Sequence, residues 1–116
     1  MNRYLNLAFV ALVFLTATLK EANKDLDSIQ NLLTHKTPTC GCCKEWVKHA
    51  KDNGFNVYTQ DHQNLEDIKK MYAIKPEYRS CHTTVSTNGF IFEGHIPAKY
   101  ISKFLSEDHP NAIGLS

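Results

Sequence analysis

No basic run, acidic tail, low-complexity tract or internal repeat interrupts the 116 residues. Thirteen lysines and arginines stand against twelve acidic residues, for a net charge of +1. Proteins that bind nucleic acid gather basic residues on one face, and this balance gives no such footprint. The lack of repeats excludes a solenoid, and the length leaves room for one domain. Cys-x-x-C occurs once, whereas zinc modules usually pair two such motifs. An Ala-x-Ala cleavage signal is missing as well, since Leu15 stands two residues before Ala17 and Lys20 two before Ala22.

What is present begins with Arg3 and an almost wholly apolar run from Tyr4 to Leu19, closed by Lys20-Glu21. A charged start followed by an apolar stretch is the layout of an export signal. The run falls short of the ~20 residues that comfortably span a bilayer. Residues 1–22 are therefore read as a signal peptide or N-terminal anchor, and residues 28–116 as the folded domain. A membrane would be met only through an uncleaved N-terminus. A buried core helix is the competing reading. Export places all four cysteines in an oxidising compartment. There they must be disulfides, metal ligands or redox centres.

Along the domain, Ser28 to His35 reads as a strand, because Pro38 biases Thr37 toward an extended backbone just before the cysteines. From Cys42 to Asn53, Trp46, Val47 and Ala50 fall on one helical face, and Asn53-Gly54 stops that helix. Phe55 to Asp61 alternates as a strand. Asn64 is placed to cap a helix over Leu65 to Tyr72, with Leu65, Ile68, Met71 and Tyr72 as its apolar stripe. Asn88-Gly89 signals a two-residue hairpin between the segments 82–87 and 90–94. Pro97 opens a last helix carrying Tyr100, Ile101, Phe104 and Leu105, and the tail from His109 reads as irregular. The order strand, helix, strand, helix, hairpin, helix predicts an α/β, thioredoxin-like domain with a central mixed sheet.

Cys40 and Cys43 form a Cys-x-x-C pair between a strand and a helix. Orphan N–H groups and the helix dipole stabilise a thiolate there. A thiolate serves both disulfide exchange and soft-metal binding, so the pair alone does not choose between a thiol–disulfide oxidoreductase using Cys40/Cys43 and a metal site. Cys42 adds a third sulfur, and Cys81 a fourth, beside His82 at the start of the hairpin. In this fold that start should abut the first helix. His95, after Gly94, ends the second hairpin strand. Soft thiolates select Cu(I), zinc or iron–sulfur clusters, and imidazole suits copper and zinc. One tetrahedral zinc needs four ligands. Four sulfurs with one or two imidazoles exceed that number and fit several bridged Cu(I) ions better. Two disulfides, Cys40–Cys43 and Cys42–Cys81, are the structural alternative. His35, His49, His62 and His109 read as surface residues, with His49 the one nearest to interest. Trp46, Phe55, Phe90 and Phe92 read as core.

Three segments, 37–44 with Trp46 following, 79–83 and 93–98, together with the closing 111–115, resemble the CopG-like copper-resistance family of exported proteins. The likeness runs from about Ile29 to Leu115. It implies a thioredoxin-like fold and copper bound by Cys40, Cys42, Cys43 and Cys81, with His82 and His95 as partners or neighbours. It also implies a part in copper handling in a Gram-negative periplasm, interconversion of Cu(I) and Cu(II), and exchange of copper ions with a periplasmic chaperone or efflux system.

Overall fold

A computed structural model describes residues 30–116, so the predicted signal or anchor at 1–22 lies outside the described residues, as do Ser28 and Ile29. The described chain is α/β, in the predicted element order. It runs β1 (Asn31–Lys36), α1 (Gly41–Asp52), β2 (Asn56–Asp61), α2 (Glu66–Met71), β3 (Thr83–Ser86), β4 (Ile91–Glu93), α3 (Ala98–Ser106) and β5 (Gly114–Leu115), with a 3₁₀ turn at Pro76–Tyr78. Its five strands form one mixed sheet ordered β2-β1-β3-β4-β5. β1 and β2 are parallel because α1 returns the chain between them. β3 then runs antiparallel to β1, and β4 antiparallel to β3.

Period-two alternation sends Leu32 and Thr34 of β1 to one face and His35 to the other. On the first face Leu32, Val57 and Phe92 meet Trp46 and Val47 of α1 and Ile101 of α3, and these form the core. Thr34 and Thr84, buried in the same layer, bond hydroxyl to hydroxyl at 2.9 Å. Trp46 is core, as expected, but it also donates Nε1–H to the Ile96 carbonyl at 2.7 Å. Trp46→Phe keeps most of the apolar contact and strips that bond. A loss of about 1–2 kcal/mol in urea denaturation is expected.

Three local expectations are corrected. In α2 the buried side chain is Lys69, 6% exposed, whereas Met71 is 65% exposed. This short helix lies against the second face of the sheet, where Glu93 offers Lys69 a buried partner. The hairpin loop is three residues, Thr87 to Gly89, rather than two. The Gly89 N–H reaches Ser86 O, the Ser86 N–H reaches Phe90 O, and Gly89 takes φ +86°. A type I turn closed by a left-handed glycine gives that length. Finally, the tail is not wholly irregular: Gly114–Leu115 pairs parallel to β4. A side chain at Gly114 would overlap the Ile91 backbone, so glycine is what lets this edge close.

Candidate metal centre

The sheet register brings three loops to one end. His35, near the end of β1, pairs with Thr83 at the start of β3, and Thr83 pairs with Glu93 at the end of β4. The chain leaving β1 carries Cys40 to Cys43, the chain entering β3 carries Cys81 and His82, and the chain leaving β4 carries His95. Antiparallel pairing therefore assembles the predicted residues from segments some forty residues apart.

Cys40 caps α1 with an extended backbone, and its sulfur accepts the Cys43 N–H at 3.3 Å. This is the helix-start placement predicted for the pair. Cys40 and Cys43 are joined as a disulfide with Cα atoms 5.3 Å apart, while Cys42 and Cys81 are free and exposed. The Cys42 sulfur lies 3.4 Å from that of Cys40 and 4.0 Å from that of Cys81. Of the two-disulfide alternative, the first bond is formed and the second pair is adjacent but unbonded.

Among the described residues, two groups of donor atoms each converge within 4.8 Å: Cys40 with Cys42 and Cys43, and Cys42 with Cys81 and His95. Cys42 belongs to both. His82 belongs to neither. It is fully buried, its ring 4.8 Å from Trp46 and 5.2 Å from His95, and neither ring nitrogen makes a well-formed hydrogen bond, the Gly94 backbone being its nearest polar neighbour. Such unsatisfied buried groups are uncommon and call for a ligand, a water or a functional role. Burial, then the neighbouring His95 and Lys69, push the His82 pKa down to about 4. The neutral ring this leaves is the ligand form of imidazole.

The depressed value has a consequence for the metal-free protein. Between 6.5 and about 4 the unfolded chain binds a proton at His82 that the folded chain refuses, so stability falls as pH falls. A loss of about 2–3 kcal/mol across that window is expected. Urea denaturation at both ends of the window, repeated with His82→Leu, isolates it; the variant should lose that much less.

Four further residues shape the site. The Trp46 bond to Ile96 and the Ala98 N–H donated to His49 Nε2 at 3.0 Å tie the segment after His95 to α1. Glu93 and Lys69 form a buried ion pair behind Cys81. Sequence reading placed Trp46 in the core and singled out His49, but neither Glu93 nor Lys69. A charged residue in a short amphipathic stretch carries no local mark of burial.

His35 departs from the surface expectation. It is 4% exposed, and its Nδ1 lies 2.9 Å from His62 Nε2. Burial, then His62, lowers its pKa. The pair shares a proton rather than an ion, since two imidazole nitrogens on one metal stand about 3.3–4 Å apart. Neither of two surface grooves, of about 460 and 370 Å³, is lined by a cysteine. Cys42 and Cys81 are exposed beside the partly exposed Cys40, while Cys43 is buried beneath them.

A family of unknown function, DUF411, matches residues 78–116. A solved structure of a copper resistance protein, CopG in its form 2, superposes with a TM-score of 0.68 at 32% identity, over 74% of this chain and 67% of that one. The chain belongs to the CopG-like family. Form 1 of CopG gives a TM-score of 0.66 at 33% identity, over 72% of this chain and 65% of that one. No curated protein matches. The likeness to the CopG structures extends over the α/β frame with its mixed sheet.

Proposed function

We propose that this protein binds copper in copper handling and resistance, holding it with the thiolates of Cys40, Cys42, Cys43 and Cys81 and the imidazole of His95, with His82 as a buried neutral neighbour. The observation that carries the reading is the sharing of Cys42 between two converging donor groups. One sulfur common to two sites is the arrangement that bridges ions, and soft thiolates favour Cu(I). The names of the CopG relatives point the same way. Before Cys40 and Cys43 can act as ligands, an external dithiol must reduce their disulfide, giving up two electrons and its two thiol protons and becoming a disulfide itself. Copper held there can pass an electron in or out between Cu(I) and Cu(II). The frame is thioredoxin-like, the protein works in the periplasm after export, and its counterparts are copper chaperones or efflux systems.

Anaerobic titration of the reduced protein with Cu(I) tests this. More than one tightly held copper per chain is expected, and less than one, or binding untouched by Cys81→Ser, refutes it. The Cys40–Cys43 disulfide, with Cys43 fully buried and Cys40 partly exposed, favours one second reading: a thiol–disulfide oxidoreductase. Insulin reduction without metal, surviving the loss of Cys42 and Cys81, would select it.

A further inference from the structure

Cys81 lies outside the strands and helices and is exposed, yet its sulfur faces that of Cys42 at 4.0 Å. Its neighbours on both sides are held. The Ser80 N–H donates to Glu93 Oε1 at 3.0 Å, and the Gly94 N–H donates to the His82 carbonyl at 2.9 Å. Gly94 takes φ +81°, and a Cβ there would stand 2.7 Å from Ser80 Cβ, so the absence of a side chain admits the loop. The buried Glu93 carboxylate also accepts from Thr83 Oγ1 at 2.8 Å and from Lys69 Nζ, which itself reaches Thr83 Oγ1 at 3.1 Å. One carboxylate thereby joins α2, β3 and the loop before Cys81. A carboxylate has lone pairs for all three donors, and charged acceptors make the stronger bonds.

We propose that Glu93, charge-balanced by Lys69, is a positioning residue that holds the 80–82 segment so that Cys81 faces Cys42. This deepens the copper reading, which it rests on only for what the two sulfurs are used for. The placement itself concerns the metal-free chain.

Two charge-neutral double variants separate positioning from bulk stability. Lys69→Met/Glu93→Gln keeps a carbonyl acceptor for Ser80, and Lys69→Met/Glu93→Leu removes it. In glutathione buffers, oxidised glutathione takes two electrons and the two thiol protons from Cys42 and Cys81, giving their disulfide and two reduced glutathiones. Mass spectrometry of the peptides joined through Cys42–Cys81 gives the equilibrium constant. It should fall about tenfold or more in the leucine variant and stay within about threefold in the glutamine variant, since small misplacements of reacting groups cost that much or more. Thermal melting reports whether both variants fold. Amide exchange in the unaltered protein needs no variant: the Ser80 N–H should exchange about tenfold or more slowly than an unprotected amide. Equal constants in the two folded variants, or an unprotected Ser80 amide, overturns the proposal. A difference between the variants with no copper bound by the unaltered chain upholds positioning and overturns the copper reading. Equal constants with copper bound do the reverse.

Discussion

Cys42→Ser should cost more copper than any other single cysteine replacement. Cys42 is the sulfur common to both donor groups, 3.4 Å from Cys40 and 4.0 Å from Cys81, so its loss opens both at once. Removing Cys81 dismantles one group and leaves Cys40, Cys42 and Cys43 together. The side chain is exposed, and surface substitutions usually shift stability by no more than about 0.5 kcal/mol. A folded protein with impaired binding is therefore expected. Losing an outer-shell partner costs metal sites roughly 10–100-fold, and a bridging ligand should exceed the upper end. Competition against a colorimetric Cu(I) chelator, with all variants at the same pH, gives the comparison. Equal losses for Cys42→Ser and Cys81→Ser would mean that the sulfurs do not bridge.

The second large effect concerns stability rather than metal. Lys69 and Glu93 are ion-paired with side chains 7% and 2% exposed. Lys69→Met alone strands a buried carboxylate, and breaking such a pair typically costs about 3–5 kcal/mol. Domains are stable by only about 5–15 kcal/mol, so the single variant should melt far below the parent. Adding Glu93→Leu removes the stranded charge, and replacing a buried pair by apolar groups is often neutral or better. The double variant should thus recover most of the loss. A double-mutant cycle by urea denaturation measures the coupling. A single variant that melts close to the parent would show that Glu93 finds other compensation.

These two effects differ in how far the sequence announced them. Cys42 was legible: four cysteines in a short chain are few enough to demand a purpose, and a third sulfur inside Cys-x-x-C stands out. The convergence of Cys81 followed from strand order, since a strand antiparallel to β1 must start where β1 ends. Lys69 was not legible. The helical period offered Met71 for burial, and apolarity favoured it. What reversed the choice is Glu93, twenty-four residues away, whose carboxylate makes a buried lysine tolerable. His35 repeats the lesson, its burial depending on α2 covering the second face of the sheet and on His62 answering its ring nitrogen. β5 also escaped, because a two-residue edge strand has no period to read.

By itself the sequence determined the alternation of elements, the stop of α1 at Asn53-Gly54 and the gathering of sulfur at a helix start. Each is a local matter of apolar period, backbone preference and spacing. Tertiary structure alone decided which histidines are buried, that Cys42 is the shared sulfur, and that a lysine–glutamate pair stands behind Cys81. Those outcomes turn on distances between segments that meet only once the sheet is paired, and the free energy of burying a charge depends on partners no window of sequence contains.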